Sequence, residues 1–321
     1  MSSDQREGAA LVLLAAAGYA CLPILAKWAY AAGLAPLDVV TWRFILATPL
    51  IWLVLLAGRV PLRAPRLLRG RLLAVGLLFG ILASTGFFAL ARIPSSTYTV
   101  LVYTYPAMVA ILAHLLGERL ERWGWAALLM TLVGVTLTVP ALGVGLGQTD
   151  ALGLGLALLN AALYALYIVI SSHLLRGHRA LAEASAWSIT GSLLLFAVVA
   201  VARGLQWPVG GAALGSVFGL AILSTAIPIF AFYAGMARLG APRASILSTV
   251  EPLFTLLLAA GLLHETMTPR QWLGGLLILV SVVLLQLRRG PAASLVQREI
   301  PDEREMVTPG PTVEDAHLKR G

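Results

Sequence analysis

The chain has 321 residues, of which 59% are hydrophobic and 12% charged, with a mean hydropathy of +0.87. That composition excludes an ordinary soluble domain. The formal net charge of +8 would suit a nucleic-acid ligand, but its distribution along the chain assigns it to membrane topology, and no nucleic-acid partner is expected.

A bilayer-spanning helix needs roughly 20 mostly apolar residues. Such stretches lie near 8–30, 36–57, 72–91, 94–116, 123–140, 151–172, 182–202, 213–237, 243–263 and 271–287. They do not alternate apolar and polar residues as barrel strands do. The expected fold class is therefore all-α: a polytopic membrane protein with ten transmembrane helices. The first stretch is too long for a cleaved signal peptide and forms half of an internal repeat.

Span 1 carries Tyr19, and Lys27 near its outer end. Lys27 can snorkel to the interface or serve gating and charge pairing. Tyr30 fits an interfacial aromatic belt, whereas Tyr19 is too deep for one. Span 2 opens on Asp38, where a carboxylate suits a helix N-terminus. Farther in lies Arg43, which reads equally as a structural partner of a carboxylate or helix end and as a functional group. The 58–71 connection holds Arg59, Arg63, Arg66, Arg69 and Arg71. Span 3 contains Gly76-Leu-Leu-Phe-Gly80, whose small residues suit close helix packing inside one chain rather than dimerisation. One face of span 4 carries Tyr98, Val102 and Tyr105, followed by Pro106.

The pattern then starts again. Leu11–Ala20 matches Leu156–Ala165 at seven of ten positions. Asp38 and Trp42 recur as Glu183 and Trp187 at an offset of 145, and Tyr105-Pro106 as Glu251-Pro252 at 146. Glu118 and Trp125 recur as Glu265 and Trp272 at 147. Each copy holds five apolar stretches, an odd number, so the second copy enters the membrane from the opposite side. Two inverted five-helix repeats are the architecture of many secondary transporters. With alternating spans, fourteen arginines fall on the side of the 58–71 connection and three, Arg92, Arg203 and Arg270, on the other. The positive-inside rule then puts both termini in the cytoplasm.

In the second copy, Asn160, Tyr164 and Tyr167 share a stripe of span 6. Gly215 and Gly219 in span 8 have the same spacing as Gly76 and Gly80. Glu251 sits midway along span 9, directly before Pro252. That proline leaves the Ser248 carbonyl without its helical partner, and Ser248 shares a face with Glu251. A carboxyl at that depth must be protonated or closely partnered. Substrate contact or gating is the favoured reading, ahead of proton coupling and of simple structural pairing. The charges also break the repeat: Lys27 and Arg43 align with Ser172 and Ser188, and Glu251 aligns with Tyr105. A zwitterionic substrate would suit that split; so would a direct charge pair.

Arg43-Phe44, Tyr105-Pro106 leading to Gly117-Glu118, Glu251-Pro252-Leu253-Phe254 leading to His264-Glu265, and Trp272-Leu-Gly-Gly275 together resemble the EamA-type carriers of the drug/metabolite transporter superfamily, over residues 8–288. The second copy reads His264-Glu265 where the family has Gly-Glu. The resemblance implies a basket-like fold with both termini inside. It also implies a cavity built mainly from helices 1, 3, 4, 6, 8 and 9. Its substrates would be amino acids, other small metabolites or toxic organic compounds, mostly exported.

The organisation expected is a cytoplasmic N-terminus (1–7), a first repeat (8–140), a second, inverted repeat (151–288) and a disordered cytoplasmic tail (289–321). The cavity candidates are Tyr19, Tyr98, Tyr105, Asn160, Tyr164, Ser248 and Glu251; Lys27, Arg43, Pro106 and Pro252 are candidates for gating or charge pairing. The expected function is secondary transport of a small metabolite, first an amino acid or related amphipathic solute, across the inner membrane by alternating access, with export favoured. The alternative is a proton-coupled exporter of toxic compounds, which would use Glu251. No catalytic constellation, cofactor or metal site is expected: HExxH, P-loop and GxSxG motifs are absent and Cys21 is the only cysteine. Partners are the solute and the lipid bilayer, with protons as a candidate coupling ion, and the chain would act as a monomer or homodimer.

Overall fold

The computed structural model describes residues 3–58, 62–117, 122–138, 150–175 and 181–288, and every regular element among them is helical. Glu118, the 139–149 connection and the tail from 289 onward lie outside the described residues. The first half contains α1 (Ser3–Ala31), α2 (Pro36–Ala57), α3 (Arg66–Leu90), α4 (Ser95–Val102), α5 (Tyr105–Leu115) and α6 (Arg122–Thr138). The second contains α7 (Ala151–Leu174), α8 (Leu181–Arg203), α9 (Gly211–Ala221), a π-helical turn (Ile222–Ala226), α10 (Ile227–Leu239), α11 (Ala241–Ser248), α12 (Glu251–Leu262) and α13 (Pro269–Arg288). Six helices, counting α9 through α10 as one, are long and apolar enough to cross a membrane. Shorter apolar helices occupy 122–137, 251–262 and 269–284. The chain is a polytopic helical membrane protein.

Two of the ten expected spans are not single helices. Span 4 breaks at Tyr103-Thr104 and span 9 at Thr249-Val250. The cause is the proline that follows each break. A proline lacks its own N–H, and its ring clashes with the carbonyl four residues back. For Pro106 that residue is Val102, the last of α4; for Pro252 it is Ser248, the last of α11. Span 8 adjusts differently before Pro228. It widens into the π turn, where the Ser224 and Thr225 hydroxyls both donate to the Leu220 carbonyl (2.8 and 2.7 Å). The matching stretch of α3 is an unbroken helix.

Helices α3 and α8 meet backbone to backbone. A Cβ on Gly76 would stand 2.1 Å from the Ser188 carbonyl oxygen, and one on Gly191 would stand 2.2 Å from that of Leu73. The Ser192 hydroxyl donates to the Gly76 carbonyl across this contact (2.7 Å). Gly76 and Gly80 thus serve packing within the chain. A Cβ on Gly215 would have nothing within 4 Å, and one on Gly219 would first meet Leu25, at 3.0 Å. Between α2, α3 and α8, Phe44 stacks on Phe196 and meets Phe79 edge-on, with centroids 5.2 and 5.9 Å apart. α1 packs along α9, α10 and α12; α7 packs along α3, α4 and α5. α6 and α13 pair with each other, joined by a Thr131–Ser281 hydroxyl bond of 2.7 Å.

Carboxylates tie the helix ends together. Asp38, in the first turn of α2, binds Arg203 and the Gln206 N–H beyond α8. Glu183, in the first turn of α8, accepts from the Ala64 N–H beyond α2 (2.9 Å) and from Trp187 (3.1 Å), with Arg69 at 3.6 Å. Glu265 accepts from the Ser95 and Ser96 N–H groups (2.8 and 2.9 Å) and the Ser96 hydroxyl (2.7 Å), so it caps α4. Asp150 caps α7 and pairs with Arg92; the Gly153 N–H, then that guanidinium, hold its carboxyl below the ordinary range. Arg238 reaches Asp4 and Glu7 on α1 (3.6 and 3.2 Å).

Candidate polar chamber at the broken helices

The two proline-induced breaks face each other. Glu251 opens α12 directly after the second break. Tyr103 stands in the first, with its phenol beside the Glu251 carboxyl. Tyr105, which follows that break, packs its ring on Tyr164 of α7 (centroids 4.6 Å apart) and on Tyr103 (5.9 Å). Tyr164 continues to Tyr167 (6.4 Å), and Tyr167 to Phe79 of α3 (5.0 Å). Tyr19 on α1 and Tyr98 on α4 both lie within electrostatic reach of Glu251 at one end and Arg43 at the other. Tyr19, Tyr98, Tyr105, Tyr164, Ser248 and Glu251 are all half-buried.

Asn160 is buried, and its amide is committed to the protein. Nδ2 donates to the Leu82 carbonyl (2.6 Å) and meets the Thr85 hydroxyl (3.2 Å), and Oδ1 accepts from the Tyr98 phenol (3.3 Å). It positions Tyr98. Room for this comes from Gly86, where a Cβ would stand 2.6 Å from the Tyr98 oxygen. Pro106 and Pro252 are buried beside the chamber and act on it through the breaks they impose. Lys27 is half-buried toward one end of α1, within electrostatic reach of Glu265 and away from the central group.

Arg43 is 8% exposed. Its Nε donates to the Thr225 hydroxyl of the π turn (2.9 Å). Its guanidinium carbon lies 5.5 Å from the Phe44 ring centre and 5.9 Å from that of Phe87. Among the described residues no carboxylate comes within 4.0 Å of it. Arg43 and Glu251 therefore do not form the direct pair that was one reading of the sequence.

Two members of this group, Tyr103 and Thr225, were absent from the sequence candidates. Pro106 signalled the break that turns Tyr103 inward; nothing periodic in span 8 marks Thr225. A groove of about 520 Å³ lies elsewhere, bounded by α1, α2, the π turn and α10. It is almost wholly apolar, lined by residues such as Leu11, Leu50, Val54, Ile227 and Phe230. Its chemistry suits lipid chains, not a polar solute, so the chamber is defined by its side chains rather than by the groove.

Comparison with known proteins agrees with a transport fold. The model of the EamA-like transporter family matches twice, over residues 6–139 and 151–287. The uncharacterized transporter YcbK of Bacillus subtilis (strain 168) is 28% identical over 286 residues, 85% of this chain and 91% of its own. The uncharacterized inner membrane transporter YicL of Salmonella typhimurium is 33% identical over 211 residues, 62% of this chain and 67% of its own. One protein of known crystal structure, 21% identical, superposes with a TM-score of 0.63 over 89% of this chain and 99% of its own, which speaks to fold alone. With both halves matched by its model, the chain belongs to the EamA-like transporter family.

Proposed function

We propose that the chain is a secondary transporter that exports a small amphipathic solute, first an amino acid or a relative of one, across the inner membrane by alternating access. The observation that carries this reading is the half-buried tyrosine chamber around Glu251, placed where two broken helices from opposite halves face each other. Interrupted helices with a polar site between repeats are how carriers bind and bend.

The packing supports ten spans in two inverted halves. The contact of α1 with α9, α10 and α12 has its counterpart in that of α7 with α3, α4 and α5. Asp38 reaching past α8 has its counterpart in Glu183 reaching past α2. The ion pairs support the topology, since each joins groups assigned to one side: Arg92–Asp150 and Arg203–Asp38 outside, Arg69–Glu183 and Arg238–Glu7 inside.

The test is counterflow in proteoliposomes against amino acids, nucleosides and organic cations. Saturable exchange of an amino acid is expected. Exchange confined to organic cations and driven by a pH gradient would instead favour the second reading, a proton-coupled exporter working through Glu251. The charge of Arg43, which has no carboxylate within 4.0 Å among the described residues and lies within reach of the same tyrosines, weighs against a simple cation as cargo.

A further inference from the structure

We infer that Arg43 is the anion-recognising group of the chamber, so that the transported solute carries a carboxylate; the inference rests on the transport reading above. A charged side chain inside a membrane protein ordinarily pairs with an opposite charge, because an unpaired ion in a low-dielectric interior is costly. Arg43 is more than nine-tenths buried, yet no described carboxylate reaches it.

What it has instead is a mount. Thr225 holds Nε, and that hydroxyl is itself fixed by donating to the Leu220 carbonyl. The Phe44 and Phe87 rings lie near the guanidinium. These contacts orient the group without using its two terminal amino groups. Neither Nη hydrogen-bonds to a described residue, and neither is sealed from open space. The Tyr19 and Tyr98 phenols are within electrostatic reach of it, and beyond them lies Glu251. A free, end-on pair of N–H donors on a fixed planar cation is the geometry that binds a carboxylate through two parallel hydrogen bonds.

The rest of the chamber follows from that end. With the carboxylate on Arg43, an ammonium on the same solute faces the acidic end, where Glu251 lies beside Tyr103. The Tyr105–Tyr164 pair offers apolar ring surface to the body of the solute. Arg43 and Glu251, the cation and anion that the described residues bring to the chamber, then serve opposite ends of one zwitterion. Each is compensated only when the solute is bound.

The experiment compares each common amino acid with its amide and its decarboxylated amine in counterflow, using wild-type protein, Arg43→Lys and Arg43→Gln. The expected result is that acids exchange and that the matching amides and amines exchange at least roughly tenfold less well in wild type, since a buried donor pair is left without its acceptor. Arg43→Lys should keep part of this preference, and Arg43→Gln should abolish it. Wild-type exchange of amides and amines equal to that of the acids overturns the inference and leaves the transport reading intact. If no solute exchanges through monodisperse wild-type protein, the transport reading fails, and the inference with it. Should Arg43→Gln not fold, judged by gel filtration in detergent, the wild-type acid-to-amide ratio decides alone.

Discussion

Gly76→Ala tests whether α3 and α8 are held at backbone contact. The added methyl would stand 2.1 Å from the Ser188 carbonyl oxygen, where ordinary contact begins at 3.4 Å. A helix carbonyl is not free to swing aside, so the helices must part by about an ångström in a core packed to crystal-like density. Overpacking of this kind costs about 1–3 kcal/mol. Parting the helices also stretches the Ser192–Gly76 bond, worth about 1 kcal/mol net. The sum, about 2–4 kcal/mol, should lower the melting temperature by roughly 4–10 °C for a chain of this size. Melting is read by gel filtration of heated, detergent-solubilised protein. Gly191→Ala, the other side of the same contact, should behave alike, and the two losses should not add, because they strain one crossing. Gly215→Ala is the control: nothing lies within 4 Å, and alanine favours a helix. A Gly76→Ala protein melting within about 1 °C of wild type would refute the close crossing.

Other outcomes follow from the chamber and the membrane ends. Glu251→Gln keeps size and hydrogen bonding while removing the charge; it should fold normally and transport poorly, and wild-type rates with an unchanged pH profile would remove Glu251 from the mechanism. Tyr105→Ala or Tyr164→Ala should reduce counterflow more than expression, and equal reductions in both would argue for a structural role alone. In a Cys21→Ala background, a cysteine at Gly145 should label from outside and one at Arg66 should not; the reverse would overturn the topology. The carboxyl of Asp150 is held below its ordinary range, so its contribution to the α7 cap is present above that range and is lost only as pH falls through the lowered value. The melting difference between wild type and Asp150→Ala should stay constant from neutral to mildly acidic pH and vanish in strong acid.

Much of this arrangement was legible in the residues, for reasons that differ from site to site. Asp38 and Glu183 stood out because charge is rare here, and each lies in the first turn of its helix; the matched links each makes past the other's helix came only with the structure. The breaks before Pro106 and Pro252 follow from proline geometry, which also predicts their position to the residue. Tyr103 was missed because Tyr98, Val102 and Tyr105 were read as one stripe of a continuous helix; the break turns the chain after Val102 and brings a different phenol to Glu251. Asn160 was placed by register on the correct stripe, but its amide turns to the Leu82 carbonyl, a tertiary choice that periodicity does not encode. Thr225 depends on a π turn, which has no fixed pattern of side chains to announce it.

The cap that Glu265 places on α4 bears on which way the carrier rests. Its carboxylate takes two backbone donors and a hydroxyl, from Ser95 and Ser96. The matching residues in the second copy, at the offset of 146, are Ala241 and Pro242, which lack the hydroxyl and one of the N–H groups. A carrier made of two identical halves would divide its time equally between the two sides of the membrane. If the two halves rock against each other, the cap of Glu265 on α4 would weight one of the two end states. A charge-assisted bond worth about 1.5–3 kcal/mol tilts a two-state equilibrium by roughly tenfold or more. If the proposed topology holds and Glu265 lies on the outer side, the idle protein would wait with that side shut and load from the cytoplasm, a bias toward outward delivery that needs no directional chemistry. Glu265→Gln should then raise outside labelling of a Tyr105→Cys reporter in the Cys21→Ala background. Unchanged labelling would separate the cap from the resting state.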